Sequence, residues 1–333
     1  MSGAAVAGSA APGASAAGAV LTLGESMALI RGDGVAGLEH LATARIETGG
    51  AEGNVAVGLT RLGVDATWLG RVGDDALGRR VAGELRGEGV HVVAIADPAA
   101  PTGLMIKNTP HAGRTAVTYY RAGSAGSRLS PADLDRVDFA RFSLLHLTGI
   151  IPALSASARE TAFAAVERAR AAGCTISFDV NLRASLWRDE DPAPVLRSLA
   201  ALADIVIAGD DEARLVTGSP SALDDPTALL AALRDLGPRE AVVKRGPHGA
   251  SASAGGEVVH QAAFAVPVVD TVGAGDAFTA AYLARRLEGA PLAEAVRVAA
   301  IAGAIACTHP SDWLGYARPA DLAAFDAVDP VRR

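Results

Sequence analysis

From Val20 onward, short β-branched runs alternate with Ala-, Leu- and Arg-rich segments of helical period, and few architectures accommodate that rhythm. Strands are predicted at Val20–Ile30, Ala66–Val72, His91–Ala96, Leu144–Leu147, Thr175–Val180, Ile205–Ala208 and Ala241–Lys244. Helices are predicted at Gly53–Leu62, Ala76–Glu88, Ser155–Ala172, Asp211–Val216 and Thr227–Leu236, then at Gly275–Leu287, Leu292–Cys307 and Pro319–Ala327. Such alternation implies βαβ units, hence an α/β fold with a mostly parallel sheet covered by helices. Two stretches, 31–48 and 102–122, break it with polar-spaced sequence that reads as antiparallel strands inserted into the body. Strands leaving a main sheet commonly form a lid.

Composition removes several functions. The formal charge of −7 disfavours a nucleic-acid or anionic-membrane surface. Only two of the 30 basic residues are lysines, Lys107 and Lys244, and neither stands in the Gly-Lys-Ser/Thr context of a Walker A loop. Any phosphate chemistry therefore needs another device. Cys174 and Cys307 stand alone, with no CxxC and no clustered histidines to make a disulfide framework or zinc site, which suits a reducing compartment. Residues 1–19 are almost all Ala, Gly, Ser and Pro, without a basic n-region, and read as a disordered tail ahead of one domain over 20–328. The longest uncharged helical stretch, Val298–Pro310, is too short and too interrupted to span a bilayer, so a soluble, cytoplasmic protein is expected.

The most informative segment is Asp270-Thr271-Val272-Gly273-Ala274-Gly275-Asp276-Ala277-Phe278. A loop with two glycines leads into an amphipathic helix, so backbone amides and the helix dipole make a hole for phosphate. Asp276 falls in the first turn beside that hole, where a carboxylate can accept a hydroxyl proton while the amides hold charge on a transferring phosphoryl group. Taken alone, a GxGD string also reads as an ordinary helix start.

The whole string resembles the C-terminal signature of the ribokinase-like (PfkB) carbohydrate kinases. Gly49-Gly50-Ala51-Glu52-Gly53-Asn54-Val55-Ala56, some 220 residues earlier, resembles the family's N-terminal signature, followed by Arg61-Leu62-Gly63 and Gly70-Arg71-Val72-Gly73-Asp74-Asp75. The resemblance implies a three-layer α/β/α body with a small β lid, ATP and Mg²⁺ as cofactors, and a homo-oligomer. It makes Asp276 the general base and Gly273, Ala274, Gly275 and Asp276 the anion hole. Paired glycines let a polyhydroxy ligand approach the backbone at Gly50, and Asn54 offers both donor and acceptor to vicinal hydroxyls.

Within the family, Tyr119-Tyr120-Arg121-Ala122-Gly123-Ser124, Phe178-Asp179-Val180-Asn181-Leu182-Arg183 and Ser311-Asp312-Trp313-Leu314-Gly315 resemble the 2-keto-3-deoxygluconate kinases. Two guanidinium groups, Arg121 and Arg183, would suit a sugar-acid carboxylate. Tyr119 would add a hydroxyl, and Asp312 would face a sugar hydroxyl. Glu25 either contacts substrate or caps a turn. Arg45, Arg61 and Arg79 read as solvated or surface-paired. One departure stands at Met105, where relatives acting on this acid often carry an aromatic residue.

On the nucleotide side the resemblance places Asn181, Gly209, Glu212, Lys244, Gly246 and Gly249 along ATP. Glu212 belongs to an element that usually begins with Asn, replaced here by Gly209. It would act on magnesium through bound water. His248 reads as a solvent-facing turn residue. Asp270 and the Gly303–Pro310 loop fall where relatives hold a monovalent cation. The reading is thus an ATP-dependent kinase of 2-keto-3-deoxygluconate, with a fructokinase or other neutral-sugar kinase as the alternative. A non-catalytic sugar-binding regulator on the same scaffold is more remote. A dinucleotide-binding protein is weaker still, since Glu25 follows Gly24 where a pyrophosphate would lie.

Overall fold

The computed structural model describes residues 18–111, 114–188, 190–219 and 225–325. Most of the Ala/Gly/Ser-rich tail expected over 1–19 therefore lies outside the described residues, as does the end of the domain expected to reach 328. In chain order the strands are β1 (Val20–Leu23), β2 (Met27–Gly32), β3 (Ala44–Gly49), β4 (Ala66–Gly73), β5 (His91–Asp97), β6 (Leu104–His111), β7 (Arg114–Tyr120), β8 (Leu144–Thr148), β9 (Thr175–Asp179), β10 (Ile205–Gly209), β11 (Glu240–Lys244), β12 (Ala250–Ala254) and β13 (Glu257–Gln261). The helices are α1 (Ala51–Arg61), α2 (Ala76–Gly87), α3 (Ile151–Leu154), α4 (Ala156–Ala171), α5 (Ala184–Trp187), α6 (Ala193–Leu202), α7 (Asp210–Thr217), α8 (Pro226–Asp235), α9 (Ala274–Leu287), α10 (Leu292–Ala306) and α11 (Pro319–Ala324).

Among the described residues, nine strands form one sheet in the order β13-β12-β11-β10-β9-β8-β1-β4-β5. Strands β5 to β11 in that order are parallel, and β12 and β13 add an antiparallel edge. Both faces are buried, so successive strand residues serve different cores. In β10, Ile205 and Ile207 pack with α1, α2, α9 and α10 residues such as Val55, Val81, Tyr282 and Val296. Val206 and Ala208 pack on the other side with Ala162, Leu199, Val216 and Leu230 of α4, α6, α7 and α8. Strand order grows outward in both directions from β1 and β8, which makes a topological switch point whose crevice lies at the strands' carboxyl ends.

A second sheet, in the order β3-β2-β6-β7, stands apart from the first. It corrects the sequence reading in two ways. Val20–Ile30 is not one strand: the chain leaves the main sheet after Leu23 and joins the second at Met27. The inserted strands are also not all antiparallel, because β2 and β6 run parallel. No helix among the described residues is long and apolar enough to cross a membrane.

Candidate active site

The loop that enters α9 turns on a glycine whose place a side chain cannot take. Gly273, which caps α9, has φ 81°. A Cβ there would lie 2.1 Å from the carbonyl oxygen of Asp312. Gly50, at φ 146°, likewise leaves room for the Glu25 carbonyl oxygen, 2.4 Å from where a Cβ would sit. The Tyr316 hydroxyl donates to Gly273 O at 2.7 Å and fixes the loop from below. The Ala274 amide donates to Thr271 O at 3.3 Å, whereas those of Gly273, Gly275 and Asp276 have no backbone partner among the described residues. Unpaired amides at a helix start favour an anion.

Asp276 is buried in the first turn of α9. Asn54 Nδ2, on the first turns of α1, donates to its Oδ2 at 2.7 Å. Burial pushes the Asp276 carboxyl up to about 6. The nearby Asp179 charge adds to that rise, while Asn54, Lys244 and Arg183 oppose it.

All seven residues assigned to substrate from the sequence (Gly50, Asn54, Tyr119, Arg121, Arg183, Asp276 and Asp312) line one pocket under the second sheet. Their electrostatic roles differ from the sequence expectation. Arg121 is buried and its Nε and Nη2 reach Glu25 Oε2 at 2.8 and 2.6 Å. Ser124 donates to the other oxygen of Glu25. Glu25 is thus the counter-ion of Arg121, and Tyr119 lies against the same guanidinium at 5.6 Å. Arg183 makes no ion pair among the described residues, and its Nη1 donates to Leu182 O at 3.3 Å.

Beyond α9 lies a second cleft of about 600 Å³, open at Lys244, Gly246, Gly249, Gly275 and Gly303, with Phe264 and Val268 as apolar walls. Lys244 Nζ binds Asp179 Oδ2 at 2.6 Å. Burial alone would lower this ammonium, but Asp179, Glu212 and Asp276 outweigh it and raise it. Asn181 and Gly209, at neighbouring strand ends, and Glu212, in the first turn of α7, do not line this cleft. Asn181 is held at φ 39°, with Oδ1 unpaired among the described residues. The Glu212 oxygens accept from Leu182 N at 2.7 Å and from Gly209 N at 2.6 Å. No group of three or more acidic, His or Cys side chains among the described residues could cage a metal. Glu212, whose two oxygens are already held by backbone amides, fits Mg²⁺ carried on phosphates and water. His248 is exposed in its turn, as expected.

Three charged side chains escaped the sequence reading. Asp179 stands in the 178–183 string without an assigned role, and its partner Lys244 is brought in by a different strand. Lys107 reaches Asp270 and Asp312, far away in sequence. Arg61 was expected at the surface but is buried. Its Nη1 donates to the carbonyls of Trp313, Leu314 and Tyr316 at 2.8, 3.2 and 3.0 Å, and its other nitrogens pair with Glu88. It frames the turn that carries Asp312, a contact that sequence periodicity cannot reveal. Arg61→Ala is expected to cost about 3 kcal/mol through the unpaired carbonyls. The melting temperature should fall and the sugar KM rise together; an unchanged KM would separate Arg61 from the site.

Comparison with known proteins agrees with this geometry. Residues 20–314 match the family described as pfkB family carbohydrate kinase. A 2-dehydro-3-deoxygluconokinase from Bacillus subtilis is 37% identical over 92% of this chain and 94% of its own length. A fructokinase from Klebsiella pneumoniae is 39% identical over 71% of this chain and 76% of its own. The crystal structure of a PfkB protein from Polaromonas sp. superposes with a TM-score of 0.78 at 35% identity, covering 86% of this chain and 95% of that one. With its glycine-capped turn at the start of α9, its buried aspartate and a family match over nearly all its length, the chain belongs to the pfkB family of carbohydrate kinases.

Proposed function

We propose that the protein transfers the γ-phosphoryl group of ATP to the terminal primary hydroxyl of 2-keto-3-deoxygluconate. The observation that carries this reading is the position of Asp276, which lines the sugar pocket while Ala274 and Gly275 of the same helix turn line the second cleft. A base and an anion hole thus meet where the two ligands would meet.

In this reading Asp276 accepts the hydroxyl proton. The oxygen forms its bond to phosphorus as the bond to the bridging oxygen of ADP breaks, and the free amides at the start of α9 hold the developing charge. Asn54 orients Asp276. Lys244 stands beside Gly275, with Nζ 3.5 Å from where a Cβ would sit there, and meets phosphate. Glu212 would hold Mg²⁺ through water, and that ion supplies positive charge to the phosphate oxygens. The lid sheet excludes water.

The acid is favoured over a neutral sugar by Arg183, which forms no ion pair among the described residues, whereas the charge of Arg121 is already balanced by Glu25. Arg183→Ala is expected to raise the KM for the sugar acid by about 10- to 100-fold, the worth of a charge-assisted hydrogen bond. Fructose kinetics should hardly change. Equal losses on both sugars would favour the neutral-sugar alternative. Arg121→Ala is the poorer test, because it strands the buried Glu25 charge and destabilises the fold.

A further inference from the structure

Lys107 carries a charge into the sugar pocket that the reading above does not use. It lies on β6 two residues after Met105, so both side chains are on the lid's inner face. The side chain is 1% exposed. Its Nζ is 2.8 Å from Asp270 Oδ2 and 3.2 Å from Asp312 Oδ1. Both carboxylates are buried, and two buried acids side by side stay ionised together only with a cation between them.

The two partners matter more than the lysine itself. Asp270 Oδ1 accepts from Val272 N at 3.1 Å, which fixes the backbone entering Gly273. Asp312 belongs to the turn whose carbonyl abuts Gly273. Burial raises the Asp312 carboxyl, and Lys107 and Asn54, the residue that donates to Asp276, oppose that rise. One ammonium from the lid therefore touches the start of the anion-hole loop and the turn that packs against it.

We propose that Lys107 is a positioning residue, the site's own cation, which locks Asp312 and the 270–276 loop into register when the lid is seated. It rests on the phosphoryl-transfer reading above. It goes beyond that reading by making alignment of the anion hole depend on a charge delivered by the lid sheet. A lysine present only for packing would need its hydrocarbon stem but not its charge.

The test uses Lys107→Met, which keeps the stem and deletes the charge, and Lys107→Ala, which opens space beside the pocket. In Lys107→Met, kcat/KM for the sugar should fall about 100-fold, as for a misplaced catalytic constellation, with the ATP Kd unchanged. In Lys107→Ala, butylammonium should restore turnover and 1-butanol should not. A loss below about tenfold in Lys107→Met, or rescue by neither or by both additives, overturns the proposal. Should either variant fold poorly, melting temperature with the same two additives decides, since only the cation should raise it. Wild-type turnover is measured alongside on sugar acids and neutral hexoses. A silent wild type defeats the proposed reaction and leaves the melting comparison to decide on the lysine. An active wild type with an unaffected variant defeats the lysine alone.

Discussion

Asp276→Asn is expected to lower kcat by about 10³-fold, within the range that a positioned general base supplies. Sugar and nucleotide affinities should stay close to those of the wild type, because the substitution keeps the shape of the side chain and only reverses part of its contact with Asn54. The pH profile gives the same claim a second reading. Burial raises the Asp276 carboxyl to about 6, helped by Asp179 and opposed by Asn54, Lys244 and Arg183. A base works when deprotonated, so wild-type kcat/KM should be full above that value and fall as pH drops through it. The residual rate of the variant should lack that acid limb. Near-normal turnover, or an acid limb that survives in Asp276→Asn, would remove Asp276 from the role.

Gly273→Ala is expected to be almost as damaging, for a steric reason. The residue is held at φ 81°, where a side chain is strained by about 1–3 kcal/mol. Its Cβ would also fall 2.1 Å from Asp312 O and 3.1 Å from the Tyr316 hydroxyl. The loop and the Asp312 turn must then separate, which misaligns base, amides and sugar together, and a loss of at least about 10² in kcat/KM follows. Gly275→Ala is the control. Its nearest contact would be Lys244 Nζ at an ordinary 3.5 Å, so its melting temperature should match the wild type. Equal stability of the two alanine variants would contradict the strain argument.

The parallel body was legible because its strands are short β-branched runs between helices of clear period, as at Ile205–Gly209 and Ala156–Ala171. The β12–β13 hairpin was not, since Ala250–Ala254 reads ASASA, a strand without β-branched residues. Its turn signal, Gly255-Gly256 with φ 56° and 88°, was present in the sequence and is the usual chemistry of a tight hairpin. The break at Gly24-Glu25-Ser26 within Val20–Ile30 escaped because apolar residues resume at once with Met27, Ala28 and Leu29, which belong to the second sheet. Only the tertiary fold shows that a Cβ on Gly24 would strike Glu52 as the chain crosses between sheets.

The pocket residues were legible as types in motifs, and the structure gathers them in one place. Their pairing was not legible, for it is decided across the fold. Glu25 neutralises Arg121 over 96 residues of chain, and Asn54 reaches Asp276 over 222. Lys107, one of only two lysines, had value in the sequence chiefly for what it excluded. In three dimensions it meets two acids that the lid alone brings within reach.

The most direct test is a coupled ADP-release assay of the wild type and Asp276→Asn across 2-keto-3-deoxygluconate, its epimers and neutral hexoses. The result expected is ADP release that requires the sugar acid, a product phosphorylated at the terminal hydroxyl, and loss of both in the variant. A higher kcat/KM for fructose than for the acid, or no sugar-dependent ADP release by the wild type, would contradict the account.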